Sequence, residues 1–242
     1  MNFLVALQFL TIVPVSLKQV PDEQVMGYSV LYYPVVGLLI GLLLAALAWL
    51  LNGMPVSLQA ALVLVCWVGL TGGLHLDGLA DSADAWVGGL GDRERTLAIM
   101  KDPCCGPAAV VSLVLLLLLK FAALEYLITV QAWEVLVLAP VLGRSSLILL
   151  FLTTPYVRPD GLGSLLANHL PRRAGIIVIV LVLLAMLFFI GMVTLWWMLV
   201  VAGMFLILRG LMLRRIGGMT GDTAGALLEV IEMIVLLVVI GQ

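Results

Sequence analysis

Seven apolar runs, each near the roughly 20 residues that cross a bilayer, divide this chain and hold almost no charge inside them. They are Val30–Leu51, Ser57–Leu74, Pro107–Ile128, Val135–Thr153, Gly175–Met192, Leu195–Leu213 and Ala224–Ile240. Inside hydrocarbon a helix satisfies all its own backbone hydrogen bonds, so such runs imply transmembrane helices. The expected architecture is therefore all-α: a polytopic transmembrane helical bundle of about seven spans, forming one integral membrane domain over residues 1–242. Membrane lipid is then its main solvent. With 64% hydrophobic and 11% charged residues, the chain has too few charges to cover a water-facing surface, where about 25% is usual. The two runs around Thr194 read either as separate spans or as one long tilted element plus a stub. Met1–Leu17 is apolar but short, with Pro14 near its end and Lys18 after it. It shows no small-residue cleavage pattern, so it reads as an interfacial or partly inserted helix, not a signal peptide.

The few charges are sorted by side. Lys18, Arg93, Arg95, Lys101, Arg158, Arg172, Arg173, Arg209, Arg214 and Arg215 fall on alternate connections, ten of the twelve basic residues. The connections around 52–56, 129–134 and Thr194 have none. Basic residues mark the cytoplasmic side of short loops, which fixes an expected orientation in a plasma (inner) membrane. Ten of the fourteen acids share that face: Asp22, Glu23, Asp77, Asp81, Asp84, Asp92, Glu94, Asp102, Asp160 and Asp222. Chemistry is therefore expected at the cytoplasmic end. A formal charge of −2 gives no basic field for nucleic acid. Cys66, Cys104 and Cys105 make no paired framework, as in a reduced compartment.

The densest polar stretch is Gly72-Gly-Leu-His-Leu-Asp-Gly-Leu-Ala-Asp-Ser-Ala-Asp84. On a helix Asp77, Asp81 and Asp84 fall within about 60° of one another. Such carboxylates repel unless a cation joins them; the alternative is a solvated loop. Oxygen-only ligands suit a hard divalent ion such as Mg²⁺, which takes one or two carboxylates and completes its shell with water and phosphates. His75, alone, reads better as a packed or hydrogen-bonding residue than as a ligand. Asp92-Arg-Glu-Arg95 reads as a solvated loop, and Cys104-Cys105 as interfacial packing. Lys101-Asp102, where the chain re-enters the membrane, is either solvated or part of the site. Gly217-Gly-Met-Thr-Gly-Asp-Thr-Ala-Gly-Ala226 opens the last span, and a glycine-rich turn before a helix offers free N–H groups to phosphate. Glu229 and Glu232 follow inside that span, where they either face a polar cavity or pair with the intramembrane cations Lys120 and Arg144. Arg144 is equally a candidate phosphate contact.

Acidic metal ligands, basic groups and glycine turns together suit transfer of a phosphate-linked group, with metal neutralising a pyrophosphate and a hydroxyl attacking phosphorus. The Gly72–Asp84 run, joined to Gly217–Ala226 with Glu229 and Glu232, resembles the cobalamin synthase (adenosylcobinamide-GDP ribazoletransferase) family. Ala6–Pro14, Tyr33–Gly41, Ile99–Asp102, Lys120-Phe121 and Tyr156–Arg158 with Gly161–Gly163 extend the likeness over nearly the whole chain. The resemblance implies a Mg²⁺-dependent bacterial or archaeal enzyme joining adenosylcobinamide-GDP to α-ribazole or its 5′-phosphate, giving adenosylcobalamin or its phosphate and GMP. It implies Asp77, Asp81 and Asp84 as the acidic motif, with Asp102 and Asp222 completing the polar site; the roles expected of them are metal binding by Asp77, Asp81, Asp102 and Asp222, with Asp84 or Asp222 as third ligand or base. Lys101, Arg144, Arg158, Gly218, Thr220 and Gly221 are the implied substrate and phosphate contacts, and a homo-oligomer is compatible. One departure stands out. The family often carries Ser-Arg after this Met-Lys-Asp step, whereas Pro103-Cys104 follows here. The rivals are a CDP-alcohol phosphotransferase, whose motif has arginine where Asp81 stands, and an ion-coupled transporter, disfavoured by the lack of an internal repeat.

Overall fold

The computed structural model describes residues 1–17, 19–159 and 161–240; Lys18 and Asp160 lie outside them. The helices, in order, are α1 (Asn2–Leu10), α2 (Glu23–Ser29), α3 (Tyr33–Leu50), α4 (Val56–Thr71), α5 (Leu74–Gly88), α6 (Arg93–Ile99), α7 (Pro107–Thr129), α8 (Trp133–Thr153), α9 (Leu162–His169), α10 (Arg172–Ile190), α11 (Val193–Ile216) and α12 (Gly221–Ile240). Among the described residues the only β pairing is an isolated parallel bridge between Tyr156 and Met219.

Among the described residues six stretches are long and apolar enough to cross a membrane: Glu23–Leu50, which joins α2 and α3, and α7, α8, α10, α11 and α12. Helices α4 and α5 pass that test only together, and they meet at a bend of 87°. The bend is local chemistry. Gly72 and Gly73 both sit in the left-handed region, at φ 63° and 70°, which glycine adopts without steric cost. α5 therefore leaves the line of α4, and with its three aspartates it lies outside those six stretches. Among the described residues the polytopic helical bundle thus holds with six such stretches, or seven where the bent α4–α5 pair is counted as one broken span, against the expected count of about seven. Gly191, at φ 88°, separates α10 from α11, so the runs around Thr194 are two helices. The nine-residue α1 is too short to cross, and it docks where Ile12 N–H donates to the Leu70 carbonyl (2.9 Å).

α8 is the most buried of the crossing helices. It meets α3 at Gly37 and Gly41, where an added Cβ would run into the backbone of Pro140 and Val137. Small residues let helix backbones approach closely where lipid leaves no hydrophobic drive between them. The last carbonyls of α8 are taken by cations: Arg172 donates to Leu152 O (2.6 Å), and Arg209 to Thr153 O (2.6 Å). α10 and α11 form the outer layer, with Phe188 and Phe189 among many exposed apolar side chains.

Arg93-Glu-Arg95 is helical rather than a loop, though exposed to solvent as expected. Asp92 caps α6 by accepting from Arg95 N–H (2.7 Å), and Arg93 donates to the Ile216 carbonyl at the end of α11 (2.8 Å). Arg215 in turn donates to the Trp86 carbonyl of α5 (2.7 Å). These bonds gather the ends of α5, α6 and α11 and the start of α12 at one end of the bundle. There α5 crosses α12. A Cβ at Gly78 would lie 2.7 Å from the Asp222 carbonyl, and one at Gly225 would lie 3.2 Å from His75 Cα. Gly78→Ala should therefore destabilise the protein by about 1–3 kcal/mol through overpacking. A lower midpoint in thermal unfolding of the detergent-solubilised protein would show it, and an unchanged midpoint would remove the crossing from the account.

Candidate active site

The crossing brings together carboxylates from two distant stretches. Asp77 and Asp81 come from α5, and Asp222 from the first turn of α12. Arg158 Nη1 lies 2.8 Å from Asp222 Oδ2, with both side chains about one-fifth exposed. The Tyr156–Met219 bridge makes this pairing possible. Met219 N–H donates to Pro155 O (2.8 Å), and Val157 N–H donates to Met219 O (2.9 Å), which lays the 155–158 segment along the turn before α12. Gly218 is required in that turn, because a Cβ would collide with the Pro155 carbonyl. Thr220 and Thr223 exchange hydrogen bonds, Thr223 N–H to Thr220 Oγ1 (3.2 Å) and Thr220 N–H to Thr223 Oγ1 (2.9 Å), a reciprocal N-cap. Gly218 and Thr220 thus build the turn, and Gly221 opens the helix beside Asp222.

The remaining expected residues are placed differently. Both oxygens of Asp84 are engaged, accepting from Gly106 N–H (2.5 Å) and Ala109 N–H (2.9 Å) at the start of α7. It anchors that helix next to the acidic group. Lys101 and Asp102 are exposed in the turn after α6, and Asp102 Oδ1 accepts from Cys104 N–H (3.0 Å). That bond holds its carboxyl below the usual range. Cys104 and Cys105 are exposed rather than packed. Arg144 is fully buried and paired with Glu232. Lys120 lies 2.6 Å from Glu229 and 2.7 Å from Glu232, with its ammonium 4.6 Å from the centre of the Trp67 ring. Two cations and two anions therefore neutralise one another inside the bundle, on α7, α8 and α12. Of the two readings open for the intramembrane charges, the geometry takes the paired one.

Two cavities adjoin the acids. One, of about 520 Å³, is bordered by Gly72, Gly73, Asp77, Asp81, Pro103 and Cys105 among others. Its lining has two carboxylates and no Lys or Arg. The other, of about 280 Å³, is bordered by His75, Asp77, Tyr156, Arg158 and Asp222, with Phe9, Tyr33 and Phe151 in its walls. Asp77 borders both. His75 is buried beneath it, and burial, then the cations Arg144 and Lys120, hold the imidazole well below its usual range, so the ring is neutral. Tyr33, Phe9 and Tyr156 carry no chemical signature in the sequence; only their place in the wall distinguishes them from core residues.

Partial burial, then Asp77, Asp222 and, more weakly, Asp84, push the Asp81 carboxyl up from 3.8 to about 6, against the opposing pull of Arg158. The site thus holds negative charge that the protein itself does not neutralise. Among the described residues no three His, Cys, Asp or Glu side chains close on one point as a complete ligand set. A pair of carboxylates with open space around it is what Mg²⁺ uses when phosphates and water supply the rest of its shell, so the donor set fits that ion.

Comparison with known proteins shows the family to which this sequence is similar. The family model described as cobalamin-5-phosphate synthase matches residues 2–240. An adenosylcobinamide-GDP ribazoletransferase of Pseudomonas putida (strain W619) is 58% identical over 235 residues, 97% of this chain and 96% of the relative. One from Pseudomonas fluorescens is 58% identical with 97% of each chain covered, and one from Pseudomonas syringae pv. syringae is 56% identical with the same coverage. No solved structure matches the chain.

Two measurements test the electrostatics. Arg144→Gln strands part of Glu232 without a partner and should cost about 3 kcal/mol. Arg144→Gln with Glu232→Gln should cost less than the two single changes summed, by at least about 1 kcal/mol in a double-mutant cycle; strict additivity would deny the pair. Because Asp81 holds its proton more tightly folded than unfolded, its contribution to the stability of the metal-free protein should be lost as pH rises from 3.8 to about 6. Thermal midpoints across this window should fall more steeply for the unaltered protein than for Asp81→Asn.

Proposed function

The chain belongs to the cobalamin-5-phosphate synthase family, and on that premise we propose that it is an adenosylcobinamide-GDP ribazoletransferase whose acidic site binds Mg²⁺ and faces the cytoplasm. The observation that carries the site assignment is the meeting of Asp77 and Asp81 with the Asp222–Arg158 pair at the α5–α12 crossing. The sidedness rests on the sorting of ten of the twelve basic residues to alternate connections along the sequence.

A hydroxyl of the ribazole attacks the phosphorus that carries cobinamide, forming a new oxygen–phosphorus bond. The bond from that phosphorus to the bridging oxygen breaks, and GMP leaves with the oxygen and its electron pair. The attacking hydroxyl gives up one proton. Asp222 is the carboxylate assigned to take it, because both oxygens of Asp84 already accept backbone hydrogen bonds. Arg158 holds Asp222 in place and keeps Nε and Nη2 free for a phosphate oxygen. Asp77 and Asp81 would hold the metal, whereas the exposed Asp102 borders neither cavity. Mg²⁺, when bound, neutralises the diphosphate and makes the phosphorus more open to attack. The 520 Å³ cavity has no cation of its own to do this, which supports a metal there. The paired intramembrane charges support the enzyme over a carrier, since each already has its partner.

Purified protein in liposomes should release GMP from adenosylcobinamide-GDP only with α-ribazole and Mg²⁺ present, and EDTA should stop it reversibly. Asp77→Asn should lower turnover at least about 100-fold, the scale of losing one electrostatic stabiliser, while the unfolding midpoint holds. Near-normal turnover of that variant would remove Asp77 from metal binding, and ion flux without GMP release would favour a transporter.

A further inference from the structure

The two cavities share Leu74 and Asp77 as a common wall, yet their chemistry is unlike. The larger is acidic and bordered by the Gly72–Gly73 backbone. The smaller is aromatic, with Phe9, Tyr33, Phe151 and Tyr156 around it and Leu147, Leu162 and Leu166 filling the gaps. Three of its polar side chains have atoms without a protein partner: Tyr33 Oη, His75 Nδ1, and Nε and Nη2 of Arg158. Tyr33 and His75 are 0% and 4% exposed. Leaving a buried polar group unpaired costs about 1–3 kcal/mol, so two such groups bordering one cavity mark a place where a ligand's polar edge belongs.

We propose that the smaller cavity is the acceptor subsite, taking the aromatic base and ribose of the ribazole, while the larger takes the metal-bound diphosphate of the donor. This assignment rests on the transferase reading above. A flat heteroaromatic base matches aromatic walls, and its neutral edge matches a phenol and an imidazole. When the acceptor carries a 5′-phosphate, the free edge of the Arg158 guanidinium is the group in this cavity that can fork onto it. The corrinoid ring system is far too large for 280 Å³ and stays outside with the donor. The carboxylates divide the same way. Asp222, the proton acceptor, borders only the smaller cavity; Asp81 borders only the larger; Asp77 borders both. The acceptor hydroxyl thus enters from the aromatic side and meets phosphorus across Asp77.

The competing occupant is the guanine of the donor, also a flat heterocycle, and steady-state kinetics separate the two. In liposomes, Tyr33→Phe removes one hydrogen bond and should raise KM for α-ribazole about fivefold to tenfold, without a matching rise in KM for adenosylcobinamide-GDP. Leu147→Phe, which narrows the cavity from α8, should shift the same constant in the same direction. Should Leu147→Phe misfold, Tyr33→Phe, which only deletes an oxygen, still decides. A rise in the donor KM instead would place guanine here and overturn the proposal, and so would two unchanged constants. Absence of GMP release from the unaltered protein would be a different failure, that of the transferase reading itself.

Discussion

Helix α5 reaches α12 because Gly78 and Gly225 present no side chain at the contact. Two helix backbones can come this close only where small residues stand at the contact. With backbones this near, Asp77 and Asp81 on one helix come to face Asp222 at the start of the other. The rest of the site is arranged around that contact. The glycine break at 72–73 turns α5 off the axis of α4, and the 155–158 segment, bridged to Met219, sets Arg158 on Asp222.

The charges deeper in the bundle obey a different rule. In hydrocarbon no water is available to solvate Lys120, Arg144, Glu229 and Glu232, and they form a neutral set joining α7, α8 and α12. Their role is to fix α12 in rotation and depth. Since Asp222 stands on the first turn of that helix, this pairing also fixes where the carboxylate lies. At the end of the bundle the acids are not neutralised by protein cations to the same degree. The raised Asp81 carboxyl records that imbalance, which a divalent ion and a diphosphate relieve together.

Division of labour between the two cavities follows from the same geometry. A transfer between two large substrates requires that they meet at one phosphorus and otherwise stay apart. Asp77 stands in the wall common to both spaces, with an acidic side and an aromatic side. The protein contributes position and charge rather than a covalent intermediate, in keeping with phosphoryl chemistry in general.

Much of this was legible in the chain itself. Hydropathy determined the helical bundle, because the lengths of the runs answer to bilayer thickness alone. Local spacing put Asp77 and Asp81 on one helical side, and residue chemistry marked the Gly217–Asp222 turn as a partner. Pairing of Glu229 and Glu232 with Lys120 and Arg144 was one of two open readings, since spacing along a helix does not say which side meets a neighbour. Asp84 shared the aspartate spacing yet serves the start of α7, because hydrogen-bond partners there come from residues more than twenty positions away. The 92–95 segment became a helix through its Asp92 cap and its tie to Ile216, a tertiary contact that composition does not encode. Tyr33, Phe9 and Tyr156 lay in stretches that carry the family likeness, yet none stood out as a site residue, because an aromatic residue in an apolar run reads as core. Composition and periodicity therefore determined what kind of helices form and which groups have reactive chemistry. Only the tertiary structure decided which of those groups meet, because a meeting depends on backbone approach and helix rotation, set by residues far apart in the chain.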